Sequence, residues 1–128
     1  MKQLNNFIQE KLKVNSKTKI NQYNFSPETR NELKDLVDKL IKDRGNNADL
    51  NDINTSKITD MYSLFAHYSF NGNISEWDVS NVKDMRGMFY NSQFNGNLSK
   101  WNVSNVEKMG GMFKDCPLEK NPPKWYRK

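Results

Sequence analysis

The chain has 128 residues with 35% hydrophobic, 27% charged and 12% aromatic content, which excludes a disordered or membrane-embedded chain and suits one compact unit with its own core. Its net charge is +5, and the excess sits at the front: ten of the 20 Lys/Arg but six of the 15 Asp/Glu fall in residues 1–48. One cysteine, Cys116, rules out an internal disulfide.

In chain order, Leu4, Phe7, Ile8 and Leu12 lie at helical spacing and predict a short helix over about residues 3–13. A loop with an extended piece over Lys19–Tyr23 follows. The next helix is expected within 25–45, with Ser26 as N-cap, Pro27 at its first position, Glu28 and Glu32 at the positive end of its dipole and Gly45 after its last turn. Leu33, Leu36, Val37, Leu40 and Ile41 would form its apolar face.

From there the chain repeats itself every 24 residues. Ile53, Trp77, Trp101 and Trp125 share one column. Met61, Met85 and Met109 share another, as do Leu64, Met88 and Met112, and Phe65, Phe89 and Phe113. Leu50, Ile74 and Leu98 align, Phe70 aligns with Phe94, and Asn73, Asn97 and Asn121 are identical. A 24-residue unit cannot bury its own apolar face, whereas stacked units turn each column into a shared ridge.

Within a unit, Trp77-Asp78-Val79-Ser80 alternates like a short strand. Val82, Met85, Met88 and Phe89 step by three and four like one or two helical turns, with Asn81 and Asn105 as N-caps. Phe-Asn-Gly-Asn at 70–73 and 94–97 is turn chemistry. The expected fold class is therefore α/β: a short solenoid of three strand–short-helix–turn units with a parallel sheet. Residues 1–48 would form a helical cap, 49–125 the repeats and 126–128 a basic tail. Pro122 and Pro123 would stop the stacking, because proline donates no hydrogen bond to a further strand.

The stretch ITDMYSLFAHYSFNGNISEWDVSNVKDMRGMFYNSQFNGNLSKWNVSNVEKMGGMF resembles the BspA-type surface-protein repeat, a relative of leucine-rich repeats found in bacterial surface lipoproteins and some phage-encoded proteins. The resemblance covers about residues 50–125. It implies a leucine-rich-repeat-like solenoid used for adhesion or protein binding. The first twenty residues carry no apolar signal-peptide core, the lone cysteine does not suit a lipid anchor, and no stretch reaches membrane-span length, so a cytoplasmic location is expected. The opening LNNFIQEKLKVNSKTK weakly resembles small phage proteins, which implies a host-interaction factor acting in the host cytoplasm on a host defence protein.

No catalytic constellation emerges, and no cofactor or metal site is expected. His67 is the only histidine and reads as a surface loop residue. With one His and one Cys, no ordinary zinc site can be assembled. Asp60 and Asp84 share a column but suit the positive ends of short helices better than a catalytic dyad. The Asn-Gly turns lack carboxylates for calcium, and Asn73, Asn97 and Asn121 would form an amide ladder between layers.

The outward strand positions remain: Asp52, Asn54, Glu76, Asp78, Lys100, Asn102, Lys124 and Tyr126. They run from acidic to basic and form the candidate partner-binding strip of a non-enzymatic protein-binding module, monomeric or weakly dimeric. Tyr62, His67, Tyr68, Arg86, Tyr90 and Gln93 form a second candidate patch. The alternative is nucleic-acid binding through Lys34, Lys39, Lys42 and Arg44 with the Lys-rich tail.

Overall fold

A computed structural model describes residues 23–127. The helix expected over residues 3–13 lies outside them, as does the extended piece before Tyr23. One α-helix, α1 (Arg30–Arg44), and a single 3₁₀ turn at Pro117–Glu119 are the helical elements of the described residues.

Helix α1 starts at Thr-Arg-Asn-Glu, not at Ser26. The Thr29 hydroxyl accepts the Glu32 N–H at 3.2 Å, and the Glu32 carboxylate turns back to accept the Glu28 N–H at 2.8 Å. This reciprocal arrangement is close to a capping box and satisfies donors that the first turn leaves over. At the other end Gly45 takes φ 95°, and its N–H bonds the Ile41 carbonyl. Leu33, Val37 and Leu40 are buried in the same core as the repeats, with Leu36 and Ile41 packed beside them.

The expected parallel sheet is overturned. No strand forms among the described residues; parallel pairing is confined to four isolated bridges, Phe25–Ile53, Asp49–Asn73, Asp60–Asp84 and Asp84–Lys108. The short helix expected within each unit is also absent, so Asn81 and Asn105 cap nothing. The units are not strand–short-helix–turn.

The backbone explains why. Ser63, Gly87 and Gly111 all have positive φ, and so do His67, Asn91 and Asp115. Two left-handed residues four positions apart in each level interrupt both an extended run and a right-handed helix. The chain instead forms overlapping turns. The N–H groups of Leu64, Ala66 and Tyr68 close back on the carbonyls of Met61, Ser63 and Phe65, and Met88 and Tyr90 repeat this on Met85 and Gly87. Alternate N–H groups point to the next level. Met61, Ser63, Phe65 and His67 donate to the carbonyls of Asp84, Arg86, Met88 and Tyr90, at 2.8–2.9 Å. Met85, Gly87, Phe89 and Asn91 do the same to Lys108, Gly110, Met112 and Lys114.

Equivalent side chains consequently sit above one another. Phe65 stacks on Phe89 and Phe89 on Phe113, with centroids 5.5 and 5.7 Å apart and ring planes nearly parallel. Phe70 stacks on Phe94, and Trp101 on Trp125. Each indole also ties two levels together: Trp77, Trp101 and Trp125 donate N–H to the carbonyls of Leu50, Ile74 and Leu98 at 2.9, 3.1 and 2.8 Å. Aromatic stacks give the core its area, and the indole bonds remove the cost of burying those carbonyls.

Both ends of this stack are covered. At the first level the chain before α1 pairs through Phe25 with Ile53 and Asn54, and Arg30 donates to the Tyr62 carbonyl at 2.7 Å. At the last level Tyr126 lies edge-on to Phe113, and Arg127 donates to the Val106 carbonyl at 2.8 Å.

Candidate protein-docking surface

Several of the residues expected to meet a partner hold the backbone. Asn54, Asp78 and Asn102 each accept the N–H of the residue two positions on, Ser56, Ser80 and Ser104, at 3.0–3.1 Å. These are Asx turns, which commit one side-chain oxygen to shaping the loop. Asp49, Asp60, Asn73, Asp84 and Asn97 do the same. Asn73 and Asn97 therefore bond within their own level and do not form the expected ladder. Amide bonds between levels come from other columns: Asn81 and Asn105 donate to the carbonyls of Ser56 and Ser80, each at 2.7 Å. The signal for both was an Asn or Asp directly before a buried position, as in Asp60-Met61, Asn73-Ile74, Asp78-Val79 and Asn81-Val82.

The strip's charge gradient largely closes on itself. Asp52 is held by two parallel bonds from the Arg44 guanidinium, both 3.0 Å, and by Asn24. Those bonds hold its carboxyl below the ordinary carboxylate range and raise Arg44 in turn. Glu76 pairs with Lys100 one level away, at 2.9 Å. Lys124, the next position of that column, is exposed and makes no ion pair among the described residues. Tyr126 is half-buried against Phe113, and its burial pushes the phenol up. Arg127, absent from the expected strip, is the residue that anchors the tail.

Two shallow depressions lie beside this column. One, of about 410 Å³, is lined by Gly72, Asn73, Ile74, Ser75, Asn97 and Lys100, among others. The second, of about 470 Å³, is lined by the residues one period on: Gly96, Asn97, Leu98, Ser99, Asn121 and Lys124, with Leu118, Pro122, Pro123 and Trp125. The glycines are there for packing: a Cβ at Gly96 would come within 2.6 Å of the Phe94 ring, and one at Gly72 within 1.9 Å of the Ala48 carbonyl.

On the other side, the second patch assembles in part. Arg86 lies over the Tyr62 ring at 5.4 Å, and the rings of His67 and Tyr90 meet edge-on. His67 Nδ1 lies 2.9 Å from the Asn91 amide, so the histidine belongs to a side-chain contact between levels. Arg86 also clamps Asp84, whose carboxyl is lowered mainly by that bond. Cys116 is buried, with its thiol donating to the Phe94 carbonyl at 3.1 Å. It is not brought to His67. No cluster of three or more metal-ligating side chains occurs among the described residues. Nor is any helix among them long and apolar enough to cross a membrane.

The positive face of α1 is neutralised locally. Lys34 pairs with Asp38, Lys39 with Asp43 and Arg44 with Asp52, which leaves Lys42 without an ion pair among the described residues. Lys34 also bonds the Tyr68 hydroxyl, which bonds Asp38.

A family model described as "Mycoplasma protein of unknown function, DUF285" matches residues 31–126. No curated protein and no solved structure matches the chain.

Proposed function

The chain belongs to the DUF285 family, and from that premise we propose that it is a non-catalytic protein-binding module of the BspA-like kind. The family description assigns no activity, so the reading rests on the surface. The observation that carries it is the way exposed side chains are held. Glu76 and Lys100 sit one level apart, each on a loop shaped by an Asx turn, and the indole bonds of Trp77, Trp101 and Trp125 tie these loops and that of Lys124 to the level before. A surface ordered in advance loses little entropy on docking, which favours binding of a matching protein face.

The nucleic-acid alternative has less support. It needs a basic face that releases counterions, and three of the four helix cations considered are already paired with carboxylates.

The test is affinity capture of the whole protein with host extract, followed by reconstitution with the purified captured component. A stoichiometric protein complex that survives moderate salt supports the reading. Recovery of nucleic acid alone, with binding that falls steeply with salt, overturns it.

A further inference from the structure

The two depressions are copies of one another. Gly72, Asn73, Ile74 and Ser75 in the first correspond to Gly96, Asn97, Leu98 and Ser99 in the second, and Lys100 corresponds to Lys124. Asn97 lines both, so they run together as one groove along the stack.

The backbone beside this groove has open donors. At the first level boundary, Leu50 donates to the Asn73 carbonyl and Asn73 to the Ala48 carbonyl, at 3.0 and 2.9 Å. One period on, the equivalent N–H groups of Ile74 and Asn97 have no acceptor among the described residues, and neither does that of Leu98. The backbone bonds between levels lapse there, although Trp101 and Asn95 still bond across the boundary, and the groove lies alongside. Ile74 lines the first depression and Leu98 the second, so an acceptor lying in the groove is within reach of this stretch of backbone.

We propose that this groove binds an acidic peptide segment of a partner protein, extended along the stack, with an apolar side chain beside Trp125 and a carboxylate on Lys124. The proposal rests on the protein-binding reading and specifies the partner's chemistry. Three features select that ligand. The wall formed by Leu98, Leu118, Pro122 and Trp125 is apolar and takes a side chain. The unpaired N–H groups call for carbonyl oxygens, which a peptide backbone supplies at regular intervals. The ionisable residues lining the groove are both lysines, Lys100 and Lys124, and Lys124 is the one without a carboxylate. A nucleic-acid strand fits less well, because it needs a run of unpaired cations, whereas Lys100 is already paired with Glu76 and the second half of the groove is walled by apolar side chains.

The experiment uses the whole protein and a fluorescein-labelled decapeptide of Glu and Asp with one central Leu. Its control is the same peptide with Gln and Asn for every acid. The expected result is saturable binding at low salt, at least fivefold tighter for the acidic peptide. Amide shifts should be confined to residues 72–75, 96–100 and 121–125. Lys124→Glu, at an exposed position without an ion pair, should weaken binding tenfold or more while the thermal melt is unchanged. Equal binding of the control, shifts centred on α1, absence of binding, or displacement by an equal concentration of a single-stranded oligonucleotide each overturns the proposal. A natural protein complex that persists undiminished in Lys124→Glu overturns the groove but leaves the protein-binding reading standing. Peptide binding without any natural complex does the reverse.

Discussion

The rings of Phe65 and Phe89 lie 5.5 Å apart with their planes 1° from parallel, although 23 residues separate them along the chain. Phe89 is also 4.5 Å from Phe94 and 5.7 Å from Phe113, so it is the centre of the aromatic column. Phe89→Ala should cost about 3–5 kcal/mol, the range for a fully buried phenylalanine. That is a large part of the about 5–15 kcal/mol available to a domain. Urea denaturation should show it, with Tyr62→Ala, at a residue 47% exposed, as the mild comparison.

The indole bond of Trp101 to the Ile74 carbonyl predicts a separable effect. Trp101→Phe keeps an aromatic ring in the column but leaves a buried carbonyl without its donor. The loss should be about 1–3 kcal/mol. Trp125→Phe should cost less, because Trp125 is only partly buried and water can replace the donor. Equal losses at the two positions would contradict the role given to burial.

Two glycine-related substitutions should act in opposite directions. Ser63 has φ 52° where the other levels have Gly87 and Gly111, so Ser63→Gly relieves a left-handed serine. A gain of up to about 1 kcal/mol is expected. Gly96→Ala places a Cβ within 2.6 Å of the Phe94 ring, at a level where that ring is already stacked. Overpacking of this kind costs about 1–3 kcal/mol. Thermal melts of both variants check the pair.

Stability should fall in acid partly through Asp52. Its folded-state pKa is depressed, chiefly by the Arg44 hydrogen bonds. The stabilisation is therefore present above the unfolded carboxylate value of about 3.9 and is lost as pH falls through the lower folded value. Asp52→Asn should be less stable than the parent at pH 7, with the difference shrinking as the pH drops below about 4. Denaturant midpoints across that window give the comparison; a gap that widens in acid would contradict the assignment.

Spacing alone identified which residues share an environment. Trp77 and Trp101, or Met85 and Met109, occupy equivalent buried positions because a column of like side chains buries well only when stacked. The apolar face of α1 was equally readable from its period. Its start was misplaced because Thr29 and Glu32 form a cap between them, a signal written in the sequence that Ser26-Pro27 obscured. Backbone conformation within a unit was misread. A period of three and four in Val82, Met85, Met88 and Phe89 suits a helix, and it suits overlapping turns equally well. The columns Ser63/Gly87/Gly111 and His67/Asn91/Asp115 held the deciding information, since Gly and Asn tolerate positive φ.

The docking surface was the least readable part. Asp78 and Asn102 face outward, as alternation requires, but whether an outward polar residue serves a partner or its own loop depends on where the next backbone N–H lies. The amino-acid order alone determined the composition of the core and the 24-residue recurrence, because burial follows side-chain type. Only the tertiary structure decided that the backbone bonds between levels lapse at Ile74 and Asn97, that Glu76 takes Lys100 and that Lys124 is left over. Those outcomes depend on distances of a few ångströms between chain segments far apart in sequence, which no local preference encodes.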